Sequence, residues 1–350
     1  MGKESDMKKK TLSMLLALTT LLALAACGSG SSGGSPAADD TVYTLSYASN
    51  DGTTVERHTM FVQVVKEEIE ARSNGRIIIE IYPSGTLAKP GEVIEGLKNG
   101  TVDMGLDNAT FYPGMYPYTD LWCASGFNPG NTEKLHKMSR EYADAYAAAD
   151  YTEVKLLMLS TTGLFGIYSN RDIKTAADLA GLQCRVTSNY ISFFELLGIS
   201  GIMMASGEVY EGIRLGVIEA NLTNISSVTA FNLDEVTGNY TSLPMTFGDM
   251  CIVMSQQAYN NLPADLQAVI DGSIDFIHDT WLNYLLTVEV SAKEVVAGRN
   301  PDFKWNELPG DELAKIIDLV FPMFEEKAAA MDAAGLDGSG AMEWLIDHSA

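Results

Sequence analysis

From Val42 onward, short β-branched runs alternate with amphipathic helical stretches, and no other feature restricts this chain so strongly. Val42–Ala48 alternates apolar and polar residues, as a half-buried strand does. Over Thr54–Ser73, apolar Val55, Met60, Phe61, Val64, Val65 and Ile69 recur at helical spacing, and Asn74-Gly75 closes the helix. Arg76–Tyr82 is a second strand, ended by Pro83-Ser84-Gly85. Gly91–Asn99 reads as a helix capped by Gly100, and Thr101–Leu106 as a third strand. Strand–helix–strand order of this kind predicts an α/β fold with parallel pairing.

The alternation continues. Thr132–Ala149 is helical, and Val154–Leu159 and Leu164–Ser169 are read as two separate strands. Thr175–Leu179, Ile191–Leu197 and Glu208–Leu215 are short helices among the strands Cys184–Val186, Ile202–Met204 and Val217–Leu222. Cys251–Ser255 is another strand. From Pro263 the helical pattern runs unbroken for over thirty residues, long enough to bridge two domains. Phe303–Glu307 is a last strand before a helical C-terminus. A chain of 350 residues has room for about two domains.

The first 27 residues read as a targeting segment. Lys8-Lys9-Lys10 precedes an apolar run, Leu12–Ala26, of signal-peptide length. It ends in Leu24-Ala25-Ala26-Cys27, which resembles a bacterial lipobox; the expected lipidation site is Cys27. Residues 28–40 form a Gly/Ser-rich tether. The expected localisation is therefore extracytoplasmic, with the membrane reached only through a lipid anchor. A net charge of −23 excludes nucleic acid as a general partner, because phosphate binding needs clustered Lys and Arg.

Enzyme signatures are missing from the sequence. It contains no P-loop or H-E-x-x-H pattern, and its G-x-G-x-x-G (Gly28–Gly33) and G-x-S-x-G (Gly30–Gly34) matches fall inside the Gly/Ser tether, where no strand-to-helix turn is expected to present them. His58, His136, His278 and His348 are dispersed, and Cys123, Cys184 and Cys251 form no C-x-x-C pair, so neither a metal site nor a cofactor is expected. The informative residue is Arg185, a guanidinium inside a short apolar strand between Cys184 and Val186. Such a charge must be paired or must await an anion. Two readings follow: an internal pair with Glu195, Glu208 or Glu219, or bidentate capture of a carboxylate.

The segment from Ser169 to Ala220 resembles the dicarboxylate-binding solute receptors of TRAP (tripartite ATP-independent periplasmic) transporters. The resemblance is carried by Ser169-Asn170-Arg171, Ile173-Lys174-Thr175, Asp178-Leu179, Gly181-Leu182, Arg185-Val186, Leu197-Gly198, Met204, Glu208-Val209-Tyr210 and Gly216. Tyr82-Pro83-Ser84-Gly85, Val102-Asp103 and Leu262-Pro263 extend it over about residues 42–345. It implies a two-lobed, periplasmic-binding-protein-like (type II) fold with a long helix bridging both lobes. The expected division is 41–162 plus 251–290 for lobe I and 163–250 plus 291–350 for lobe II. It also implies a receptor, not an enzyme, that holds a small organic acid, mono- or dicarboxylate, in the interlobe cleft and delivers it to TRAP permease subunits. Arg185 would be the carboxylate clamp. A ligand sensor feeding a signalling kinase, or a secreted lipoprotein enzyme, remain the alternatives.

The sequence departs from the family pattern at Phe165, where a second arginine is frequent, and at Ser206, where many sialic-acid-type members carry Phe. A monocarboxylate with an apolar body fits the loss of a cation, with Phe165, Trp122, Phe111 and Tyr112 as candidate faces, each equally suited to a core. Other candidate ligand residues follow strands or open helices: Asn50, His58, Asn108, Ser188, Thr223 and Asp249.

Overall fold

The computed structural model describes residues 40–349, apart from the Ser188 side chain. The expected signal segment and Cys27 lie outside the described residues, as does the tether except for Asp40.

Nine strands form one sheet: β1 Tyr43–Ala48, β2 Ile77–Tyr82, β3 Met104–Asp107, β4 Val154–Ser169, β5 Gln183–Arg185, β6 Ser200–Ile202, β7 Ala220–Asn224, β8 Asn239–Ser255 and β9 Lys304–Glu307. The order is β2-β1-β3-β8-β4-β7-β5-β6, with β9 on β8. Both β2-β1-β3 and β7-β5-β6 are parallel, as the alternating pattern requires. Between them run two long antiparallel strands, β4 of 16 residues and β8 of 17.

The two expected strands Val154–Leu159 and Leu164–Ser169 are therefore one. Their junction is an irregularity, with register shifts on either side of Leu164 and Gly163 at φ 92°. A residue without a Cβ adopts that conformation without strain, so the kink leaves the strand continuous.

The helical pattern after Pro263 is in turn broken. Ala264–Gly272 ends where the Ser273 hydroxyl donates to the Val269 carbonyl, and a new helix, Ile274–Arg299, starts. That 26-residue helix buries Ile277, Trp281 and Leu285 with Phe61 and Ile69 in one cluster. It buries Ala292 and Val296 with Tyr168 and Tyr240 in another. It thus bridges the lobes.

A second helix, Gly310–Ala333, does the same: Ile316 and Val320 pack with Phe193 and Cys184, whereas Phe324, Ala328 and Met331 pack with Trp122 and Tyr142. Ala341 and Leu345 join that latter cluster. The expected assignment of 291–350 to lobe II is corrected accordingly: the terminal helix Gly338–Ser349 buries its apolar face in the first lobe.

His136 and His278 are buried against each other, ring centroids 5.4 Å apart, in the first lobe. Burial holds them below the usual range, at about 4 and about 3.

The two crossing strands leave little room for change. A Cβ at Gly166 would stand 2.5 Å from the Thr241 carbonyl oxygen and 2.4 Å from the Tyr240 ring. Gly166→Ala should destabilise the protein by roughly 1–3 kcal/mol, as overpacking does. A urea midpoint equal to that of the parent chain would contradict this.

Candidate functional site

The strand registers locate the site. Asp107, the last residue of β3, lies opposite Cys251, and Asn224, the last of β7, lies opposite Phe165. On the crossing pair, Thr161 faces Asp249 and Leu164 faces Phe247. Both parallel triplets therefore point their carboxyl ends at the middle of β4 and β8, from opposite ends. Open α/β sheets bind ligands outside the carboxyl ends of their strands, and here two such ends converge.

Arg185 closes β5 at this point, half-buried beside Ile202 of β6 and Asn221 of β7. Its Nε donates to the Met204 carbonyl and an Nη to Ser206 Oγ, each at 3.2 Å. None of the three candidate glutamates is its partner. Glu219 pairs with Arg171 at 2.8 Å, Glu208 accepts from the Ala205 amide, and Glu195 is exposed. Among the described residues no carboxylate pairs with Arg185. Burial pushes its pKa down without a countercharge. A guanidinium presents five donors in a fixed fork, and the protein engages it only with neutral acceptors. Asn221 Oδ1, on the neighbouring strand, is buried without a partner. Sequence reasoning passed over Asn221, although its place opposite Arg185 follows once β5 and β7 pair.

In the first lobe, Asn50 follows β1 and His58 opens a π-helical turn, His58–Val62. Asn50 Oδ1 and His58 Nδ1 are both buried without partners. Asp51, next to Asn50, is occupied by Arg57, which donates to both its carboxylate oxygens at 2.6 Å.

Asn108 follows β3, and its side-chain amide donates to the Asp249 carbonyl. The Asp249 carboxylate does not face a ligand. It is fully buried and accepts from the Ala109 amide and, at 2.6 Å, from Thr110 Oγ1. Its expected role as a ligand contact is corrected to that of an anchor tying the β3 loop to the crossing strand. Asp107, which the sequence did not flag, braces the same loop by accepting from Tyr112 Oη at 2.6 Å and the Asn108 amide at 3.0 Å.

Trp122 is likewise corrected. It is fully buried among Phe127, Tyr142 and Phe247 and presents no face to a cleft, because helix Pro117–Trp122 turns it into the core. Phe165 is half-buried and lies with Tyr190, centroids 6.1 Å apart, in the cluster that holds Cys184 and Leu222. Side chains alternate across a strand, so Arg185 points away from that cluster; the structure does not bring Phe165 onto Arg185. Tyr112 is buried, its hydroxyl held by Asp107, whereas Phe111 is half exposed beside Gly91. Thr223 is half-buried with its hydroxyl engaged to Ser227 Oγ at 2.8 Å. Ser188 opens the 3-10 turn Ser188–Tyr190 after β5. The structure thus joins Arg185 to Ser206 and Asn108 to Asp249. No His, Cys, Asp and Glu group suited to a metal ion occurs among the described residues.

Two lobes, two bridging helices and a polar convergence at the strand ends define a two-lobed solute-binding protein. The chain matches the model of the bacterial extracellular solute-binding protein family 7 over residues 47–322, and it belongs to that family, the solute-binding proteins of TRAP transporters. Its members are binding proteins and not enzymes.

Among solved structures, a TRAP periplasmic solute-binding protein from Desulfovibrio salexigens superposes with a TM-score of 0.80 at 19% identity, covering 87% of this chain and 95% of that one. A marine-metagenome protein specific for aromatic acids, bound to metahydroxyphenylacetate, gives 0.76 at 24% identity over 87% of this chain and 98% of that one. One from Rhodoferax ferrireducens, bound to benzoate, gives 0.76 at 18% identity over 88% and 98%.

Among characterised relatives, the 2,3-diketo-L-gulonate-binding periplasmic protein of Escherichia coli is 24% identical over 59% of this chain, which spans 64% of that protein's length. The C4-dicarboxylate-binding protein of Rhodobacter capsulatus is 25% identical over 77% of this chain and 81% of its own length. Among the described residues, no helix is long and apolar enough to cross a membrane.

Asp249 gives a pH test. Burial raises its carboxyl from 3.8 to about 6. A raised folded-state pKa means that its contribution to stability is full below about pH 3.8 and is lost as pH rises through about 6. Asp249→Asn removes this titration. Relative to the parent chain, the variant should therefore gain stability between pH 4 and pH 7. Urea unfolding that shows a pH-independent difference across that window would rule the assignment out.

Proposed function

We propose that this chain is the extracytoplasmic receptor of a TRAP transporter, tethered through a lipid on Cys27. It captures a small organic acid whose carboxylate docks on Arg185. The single observation that carries the reading is a half-buried guanidinium at a strand's carboxyl end with no carboxylate partner among the described residues. An incoming carboxylate supplies the missing countercharge in two parallel hydrogen bonds. Lobe closure follows only if the acid binds the closed form better than the open one. The closed form then delivers it to the membrane permease subunits.

The ligand body is read as apolar with one carboxylate. Phe165 stands where the resembled pattern often carries a second arginine, and Arg57, the other cation at the strand ends considered above, is consumed by Asp51. Half-exposed Phe111 offers a ring face at the end of β3. Relatives and neighbours that bind benzoate, metahydroxyphenylacetate or C4-dicarboxylates make these acids the first probes.

Calorimetry with benzoate, 3-hydroxyphenylacetate and succinate tests the reading. Arg185→Lys replaces a bidentate fork by a point charge and should weaken the best acid by roughly 10–100-fold, the equivalent of a charged hydrogen bond. Unchanged affinity in the variant would remove Arg185 as the clamp. Tighter binding of succinate than of either aromatic acid would remove the monocarboxylate reading.

A further inference from the structure

Three elements meet at His136 and His278. His136 stands on the helix Thr132–Ala145, and His278 on the first half of the bridging helix Ile274–Arg299. His136 Nδ1 lies 2.7 Å from Ser160 Oγ of β4. The carbonyl of the next residue, Thr161, accepts at 2.8 Å from the indole of Trp281, less than one turn beyond His278. The two imidazoles pack edge to face, 61° between their planes, and only 5% and 4% of the residues is exposed. Both rings line a crevice of about 440 Å³ between the two helices, with Lys137, Arg140, Asp279 and Leu282, so protons reach them from solvent.

The packing suits neutral rings only. His278 Nδ1 is buried without a partner, and an N–H formed there has no acceptor. His136 Nδ1 has only the Ser160 hydroxyl. Burial disfavours a charge on either ring, and for His278 the His136 ring and the Arg140 guanidinium disfavour it further. The surrounding charges do not reverse this. Arg140 is paired with Asp275 of the bridging helix, Lys137 lies 3.9 Å from Glu141, and Lys134 Nζ donates to the Ser349 carbonyl at 2.8 Å. Glu133 and Asp279 are exposed at the crevice, and Asp144 is exposed on a smaller one beside His278. Carboxylates in water attract a buried proton weakly.

We propose that this pair is an acid-operated joint between the helix Thr132–Ala145 and the bridging helix. Neutral, the rings pack and hold the helices together. In acid they take up protons by separating, and the first half of the bridging helix loosens from its neighbour. Both rings titrate lower in the fold than the usual 6.5, at about 4 and about 3. The stability they lend is therefore full above about pH 6.5 and is lost as pH falls towards 4. The inference goes beyond the proposed receptor function and does not depend on it.

Urea unfolding of the full chain at pH 7 and pH 4.5, beside His278→Phe, tests it. Phenylalanine keeps a ring and breaks no hydrogen bond at Nδ1, which has none. Each histidine that the fold keeps neutral raises the unfolding constant by roughly 50–100-fold between these pH values, so the rise should be at least ~10-fold smaller in the variant than in the parent chain. Amide exchange locates the effect. In the parent chain, protection over residues 132–145 and 274–285 should fall at least ~10-fold more than over β5–β7 on going to pH 4.5, and less so in the variant. An imidazole NMR titration of the parent chain needs no variant: both rings should stay neutral in the folded chain at about pH 5. Rings that protonate above about pH 6 with the fold intact would overturn the joint. So would an unfolding constant with the same pH response in His278→Phe, or a loss of protection spread evenly over both lobes.

Discussion

The antiparallel pairing of β4 with β8 holds the two lobes in one sheet, and the binding end of the molecule is a consequence of it. Because each long strand serves one lobe with its first half and the other with its second, the lobes cannot choose their register independently. That shared register aims the carboxyl ends of β1-β2-β3 and of β5-β6-β7 at the same stretch, Thr161–Phe165 against Phe247–Asp249. The stretch is also where β4 departs from regular pairing at Gly163. A bulge re-aims side chains and bends a strand, so the least regular part of the sheet sits where two sets of loops meet.

Electrostatics at that point is local. The chain carries 46 acidic against 23 basic residues, yet most of the charge is screened by salt beyond about 8 Å. A guanidinium shielded from water and given only a carbonyl and a hydroxyl retains its attraction for an anion. Buried carboxylates in the first lobe have other tasks: Asp249 and Asp107 fix the β3 loop through main-chain amides and hydroxyls. Negative charge spent on internal donors does not compete for Arg185.

Arg185 was visible in the sequence as a charge in an apolar strand, and the parallel α/β architecture was visible in the alternation of periods. The distinction between a clamp and an internal pair was not, since three glutamates were within plausible reach and only the fold shows Glu219 given to Arg171. Trp122 and Asp249 were drawn toward the site by position alone, near strand and helix ends. Burial removes both from it: Trp122 by the turn of helix Pro117–Trp122, Asp249 by donors that lie about 140 residues away in the chain. The single strand Val154–Ser169 was read as two because local patterns register a kink as an end. The division of the long helix at Ser273 escaped because a serine that bonds back to the preceding turn leaves the hydrophobic period unbroken.

By itself the sequence determined the secondary-structure alternation and the presence of one strand-borne arginine, because these depend on residues near one another in the chain. Which charges are paired, which faces of the sheet they occupy and which helices span both lobes were decided by the tertiary structure. Those outcomes rest on strand registers and contacts between residues far apart, and solvation of a side chain is settled only when its distant neighbours arrive.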